Sequence, residues 1–287
     1  MELVTIADSS GGRPGMIVGE RIFDLKVGHP SHELSRWRPD SVVGILDAGE
    51  EGRERLQTLH DALSMDPDVE GLAPAWLPLD GTDLGPPIRR PGLLLSLAQA
   101  PTGGLAPLLR SPNTLAGPDQ TTLLPKHWRS GFGVRSMLAV VIGRRCYQAD
   151  PLEAQAAVGG TTLVLEFSGD IGQAGRDGPF VAGLQDRYLG GQQPGSFVIG
   201  PRLKLNPGRL DENIVVSVDD VTLRQWRSPK LADIGDTLAE LSAWFGFRPG
   251  DLIAFGPQQD RAVPLEGTES IAVSAASLGQ LRTRVTR

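Results

Sequence analysis

A few side chains in this sequence stand where their neighbours would strip away water, and those are the ones that could do chemistry. Glu166 closes the apolar run of Gly160-Thr-Thr-Leu-Val-Leu-Glu166. A carboxyl group at the end of a buried strand is desolvated, which raises its pKa and suits it to acid or base work. Asp170 lies four residues on, where turn propensity favours a solvated turn residue over a catalytic one. Arg110, after Pro107-Leu-Leu, could hold a carboxylate or enolate oxygen through paired hydrogen bonds, or could be a surface arginine past a strand end. Gln99 carries an amide able to orient a carbonyl. His127, in Lys126-His-Trp-Arg129, is the one imidazole outside the first 90 residues, and its polar setting favours a solvated loop. Cys146 stands alone, which excludes an internal disulfide framework and a cysteine-rich zinc site. Following a core strand, it reads as a structural thiol. Gly103-Gly104, Gly159-Gly160 and Gly190-Gly191 lack the spacing of a phosphate cradle, and no G-x-S-x-G elbow occurs.

Composition limits the classes of partner. The chain has 287 residues, 40% hydrophobic and 22% charged, with a net charge of −6. Apolar material suffices for a core, and the acidic balance gives no footprint for nucleic acid or an anionic membrane. The first residues, Met-Glu-Leu-Val-Thr-Ile, lack a basic start and a long apolar stretch, and no segment reaches the ~20 apolar residues of a membrane span. A cytoplasmic protein is expected.

The elements that must position these groups follow from periodicity. Leu138 to Ile142 is an unbroken apolar run closed by Gly143, the mark of a strand buried on both faces; Arg144 and Arg145 then return the chain to the surface. Leu3–Ile6, Met16–Val18 and Ile22–Leu25, separated by glycine turns, predict a small β-meander. Val43, Leu46, Leu56, Leu59 and Leu63 are spaced for helices interrupted at Gly49 and Gly52. Residues 65–91, rich in Pro, Gly and Asp, predict a linker, which sets a small N-terminal α/β unit over 1–90 and a large mixed-β unit over 91–287. In the second, Gly92–Leu97, Gly160–Glu166, Phe197–Ile199, Ile214–Val218 and Val221–Trp226 predict strands, the last two joined by an Asp219-Asp220 turn. Asp150 and Pro151 predict a cap and first residue for a short helix to Val158. Leu231, Ile234, Leu238, Leu241 and Trp244-Phe245 define the apolar face of another. Gly172–Gly195 predicts a mobile surface loop. The expected class is mostly β with a few helices, α+β.

Four stretches carry a resemblance. Gly133-Val-Arg-Ser-Met-Leu-Ala-Val-Val-Ile-Gly-Arg-Arg145 resembles the strand "YEAELAVVIGRR" of the fumarylacetoacetate hydrolase superfamily. Pro107–Pro118 resembles its "PLFFKPPSALVGPG", with Arg110 at the lysine. Phe247–Phe255 resembles "LEPGDVILTGTP", and Ser277–Val285 resembles "GLGTLRNRV". The resemblance implies a large twisted mixed-β fold, a homodimer, and a small-molecule substrate with an enolisable carbonyl group.

It also implies a divalent cation held by three carboxylates, two from Glu-x-Glu in the first strand and one from the end of the next core strand. Here the first two positions are Arg135 and Met137, and only Glu166 is in register. Neither Arg nor Met ligates a hard cation. The family's histidine segment corresponds to Leu97–Gly104, which has no His, and a family lysine falls near Gly191. The expectation is therefore no metal and no cofactor. A metal-independent enzyme would use Glu166 with Arg135 or Arg110, and Met137, Leu165 and Phe255 would line a more apolar substrate pocket with Gln99. It would perform cyclisation, isomerisation, dehydration or decarboxylation, as in specialised metabolism. Alternatively, Glu166 and Arg135 form a structural ion pair. Two other readings are a non-catalytic binding or scaffold subunit, and a metal-dependent C–C hydrolase or decarboxylase using acids such as Asp170 or Asp177.

Overall fold

The computed structural model describes residues 1–9, 11–27, 39–67, 72–99, 104–125, 132–169, 189–208, 210–257 and 262–286. The expected meander forms as β1 (Glu2–Ile6), β2 (Arg13–Val18) and β3 (Arg21–Asp24). The helical spacing gives α1 (Val42–Asp47) and α2 (Gly49–Met65). The break lies at Ala48; Gly52 sits buried inside α2, where a missing side chain admits close packing without ending the helix. The Pro-rich stretch contributes short strands of its own, β4 (Trp76–Pro78) against β3 and β5 (Leu84–Gly85) against β1.

Beyond residue 90 the chain runs β6 (Leu94–Gln99), β7 (Leu105–Leu109), β8 (Leu115–Ala116), β9 (Thr121–Leu123), β10 (Gly133–Ile142), α3 (Pro151–Ala156), β11 (Val158–Ser168) and β12 (Phe197–Leu205). It continues through β13 (Asn213–Val218), β14 (Val221–Arg227), α4 (Leu231–Ser242), β15 (Leu252–Phe255), β16 (Val263–Pro264), β17 (Ser270–Ala275) and β18 (Gly279–Thr286). Local chemistry explains several boundaries. Asp150 accepts from the Glu153 amide while Glu153 accepts from the Asp150 amide, a reciprocal cap with Pro151 at the first helical position. Asp219 and Asp220 both take left-handed φ values, 46° and 62°, matching the turn twist that joins β13 to β14. β12 runs past Gly200-Pro201, further than the apolar run Phe197–Ile199 alone predicts. Trp244 lies beyond the end of α4 and is exposed, so it is not part of that helix's buried face.

The main sheet has the order β4-β3-β2-β1-β12-β11-β10-β15-β6-β7, with β5, β8 and β16 paired at its margins. A second sheet runs β14-β13-β17-β18-β9. Strands β10, β11 and β15 are buried on both faces. Val140, Leu163, Leu165 and Ile253 pack with Ile214, Val273, Ile234 and Leu238 of the second sheet and α4. On the opposite face Met137, Ala139, Val164 and Ala254 pack with Ile45, Leu46, Leu56 and Leu63 of α1 and α2. Each large apolar side chain so buried contributes about 1.5–3 kcal/mol, and this three-layer sandwich makes the centre of the sheet its stiffest part. Among the described residues no helix is long and apolar enough to cross a membrane.

Candidate active site

The site is built on the helix-side face of the sheet centre. In β10 and β11, Arg135 faces Glu166 and Met137 faces Val164. Strand alternation puts Arg135, Met137 and Glu166 on one face. β10 pairs with β15, and β15 pairs in parallel with β6, which brings Ser96 to the same face. The parallel pair is pinned at its head by the buried Asp251, whose Oδ1 accepts from the Leu93 amide at 2.8 Å and Oδ2 from the Arg248 amide at 2.7 Å. Burial pushes the Asp251 carboxyl up despite those hydrogen bonds. Arg110 follows β7; its amide donates to Leu94 O at 2.9 Å, which anchors the residue beside β6.

Glu166 is fully buried and ringed by donors. Arg110 Nε donates to Oε1 at 2.7 Å; Arg135 Nη2 and Ser96 Oγ donate to Oε2 at 2.5 and 2.9 Å. Arg110 is 2% exposed by side chain, whereas Arg135 is 13% exposed and forms the open side of the cluster. Burial alone would push the Glu166 carboxyl up, as expected from its place in the strand. The two guanidinium groups and the Ser96 hydroxyl outweigh it and hold the carboxyl below its ordinary value. Glu166 is thus a locked carboxylate, and the ion-pair alternative describes its partner Arg135 correctly. Arg110 is not a surface residue, because the buried charge of Glu166 gives it a partner inside.

Gly191 explains how Arg110 fits. A Cβ at this glycine would come within 2.8 Å of Arg110 Nη1 and 2.9 Å of Cζ. Where the family resemblance leads one to expect a lysine, the absence of a side chain leaves room for a guanidinium arriving from β7. Sequence reading noted Gly191 only as a loss and overlooked Ser96. The polar residue inside Leu93-Leu-Leu-Ser-Leu97 was the available signal.

The structure separates the expected apolar lining. Met137 lies beside the cluster, its Sδ 3.8 Å from Ser96 Oγ. Leu165 and Phe255 point to the other face, into the core shared with the second sheet. Leu165 precedes Glu166 by one residue, and Phe255 pairs with Leu138, so both have the wrong parity for the site. Gln99 pairs with Leu105 at the end of β6. Asp170, Asp177, His127 and residues 172–188 lie outside the described residues. Cys146 is buried beside Phe247, and burial pushes its thiol up, which makes it a poor nucleophile.

Among the described residues the donor set does not fit a divalent cation. Among the described residues no three carboxylate, histidine or cysteine side chains converge. The single carboxylate here already accepts three hydrogen bonds, and a cation beside it would meet two fixed guanidinium charges.

Comparison with known proteins is consistent with this architecture. Residues 99–286 match the family described as fumarylacetoacetate (FAA) hydrolase, C-terminal. No curated protein matches the chain in sequence. Among solved structures, maleylpyruvate hydrolase from Sphingobium sp. SYK-6, in complex with manganese(II) and pyruvate, superposes with a TM-score of 0.75 at 20% identity, over 100% of this chain and 99% of that one. The 2-hydroxyhepta-2,4-diene-1,7-dioate isomerase of Mycobacterium marinum gives 0.71 at 18% identity, over 100% and 98%. Fumarylacetoacetate hydrolase from Exiguobacterium antarcticum gives 0.73 at 19% identity, over 100% and 99%. At these identities the likeness is one of fold.

Proposed function

The chain belongs to the fumarylacetoacetate hydrolase family, and on that premise we propose that it is a metal-independent enzyme in which guanidinium groups stabilise an enolate. The observation that carries this reading is Arg135, standing opposite Glu166 at 2.5 Å and still 13% exposed. When an enolisable carbonyl compound loses a proton or carbon dioxide, charge develops on its oxygen. A preorganised cation in a water-poor site stabilises that charge without reorganisation. Arg135 faces the substrate, while Arg110 and Glu166 hold it in place. The ionised, triply bonded Glu166 serves as a positioning group instead of the acid or base its sequence position suggests.

Isomerisation and decarboxylation suit this arrangement best, since both pass through an enolate; cyclisation or dehydration through the same intermediate follows from the same geometry. In decarboxylation carbon dioxide leaves, the C–C electron pair becomes the enolate C=C as the carbonyl π pair moves onto oxygen, and a solvent proton then returns to carbon. The reading takes in a substrate with an apolar part, of the kind made in specialised metabolism, although Met137 itself is fully buried behind the cluster. The reading includes a homodimer in the cytoplasm. A second reading, a non-catalytic binding or scaffold subunit, is favoured by the complete burial of Glu166.

Chelator-treated protein assayed against oxaloacetate and related 2-oxo acids tests the proposal. The expected result is turnover unaffected by EDTA and lowered at least ~100-fold in Arg135→Met, the scale of losing an oxyanion donor. Turnover abolished by the chelator and restored by Mn²⁺ would overturn it. Absence of turnover with saturable binding of oxalate, an enolate mimic, would support the binding subunit instead.

A further inference from the structure

A cavity lies away from Glu166, over the N-terminal strands. It has a volume of about 360 Å³, within the range of small-molecule sites, and is bounded by β1, β2, the start of α1 and residues 87–90. Three arginines line it, Arg13, Arg89 and Arg90, and among the described residues no carboxylate does. Arg13 is already neutralised by Asp24 and by Asp8, whose Oδ2 lies 3.3 Å from its Nη1. Arg89 and Arg90 form no ion pair among the described residues.

Arg89 is also held in place. Its Nη1 donates to Gly12 O at 3.0 Å, and its guanidinium lies close against Gly11. A Cβ at Gly11 would fall 1.9 Å from Arg89 Nη2, and both glycines have φ near +100°, so only glycine allows this seat. The Gly12 amide is tied to Asp8 Oδ1 at 2.7 Å, which fixes the turn itself. A turn shaped around one guanidinium, with a second arginine beside it and no acid among the described lining residues, is preorganised for a negative charge. Val42, Val43 and Pro14 form the apolar part of the wall.

We propose that this cavity binds a small organic anion: a carboxylate or phosphate group held by Arg89 and Arg90, with a short apolar body against Val42 and Val43. The site is independent of the Glu166 cluster, since no residue is shared.

Calorimetric titration of the full chain with benzoate, phenyl phosphate and the neutral benzamide tests this. The expected result is saturable binding of an anion but not of benzamide. That binding weakens about tenfold or more in Arg89→Met/Arg90→Met, through loss of charge-assisted hydrogen bonds, and is unchanged in Arg135→Met. Arg90→Met alone, which leaves the Arg89–Gly12 contact intact, is expected to weaken binding as well, so a fold defect in the double variant does not decide the matter. A preference for phenyl phosphate assigns a phosphate ester, and for benzoate a carboxylate. No anion binding, equal binding of benzamide, or binding lost in Arg135→Met but kept in the Arg89/Arg90 variants would overturn the proposal.

Discussion

Arg135 and Glu166 are register partners on adjacent antiparallel strands, and their side chains meet at 2.5 Å on the helix-side face of the sheet. Because that pair is buried together with Arg110, the cluster behaves as a unit. Glu166→Gln leaves two guanidinium groups facing a neutral amide and is expected to cost ~3–5 kcal/mol, the usual penalty for stranding a buried charge. Replacing all three with apolar residues, Arg110→Met, Arg135→Met and Glu166→Leu, should recover most of the loss. Urea unfolding of the two variants beside the parent measures both; equal destabilisation would mean the cluster is not acting as a unit.

Acid should attack this cluster in a defined window. The Glu166 carboxyl is lowered in the folded state, so its contribution is fully present above the ordinary carboxylate pKa of ~4.3. It is lost as pH falls from there through the folded value. The stability gap between the parent and Glu166→Gln is thus expected to be flat from neutral pH to about pH 5 and to shrink below ~4. Asp251 has the opposite sign: its raised carboxyl opposes folding as pH rises through the folded value. Urea midpoints across pH 3–7 would separate the two, and a gap that widened in acid would contradict the assignment.

Gly191→Ala tests the seat of Arg110. Gly191 has an ordinary backbone, so the effect is steric: the added methyl group meets the guanidinium end of a side chain that Glu166 holds fast. A loss of ~1–3 kcal/mol is expected, as for overpacking in a filled core. In an Arg110→Met background it should largely vanish, and a double-mutant cycle reads that coupling. Additive losses would place the strain elsewhere.

The missing carboxylates can be put back. Arg135→Glu with Met137→Glu sets two acids opposite Glu166 and Val164, on the same face. Without a cation these three buried carboxylates repel, so the variant is expected to gain melting temperature on adding Mn²⁺, as any ligand of the folded state produces. The parent chain should show no such rise. A rise in the parent, abolished by Glu166→Ala, would revive metal-dependent chemistry.

Much of this was legible in the residues. The apolar run at Leu138–Ile142, the Asp150-Pro151 cap and the Asp219-Asp220 turn are local signals, and each formed as its chemistry dictates. The face of each strand was readable only in part. A run buried on both sides carries no alternation, so Leu165 and Phe255 looked like neighbours of Glu166 until pairing fixed their parity. The Glu166 pKa could not be read from burial alone. Its direction is set against burial by Arg135 first, then by Arg110 and Ser96, which lie 56 and 70 residues away in sequence and which only the closed sheet brings into contact.

The pairing of β1 with β12 joins Glu2 to Lys204. On a ribosome adding about 5–20 residues per second, the first strand therefore waits some ~10–40 s for its neighbour to be synthesised. Through that interval the meander exposes the edge of β1, where Leu3 and Leu203 will later pair, to any other extended chain nearby. The order of synthesis thus leaves the Glu2–Leu3 edge of β1 open to a chaperone, or to an aggregating twin on the same polysome, until β12 is made.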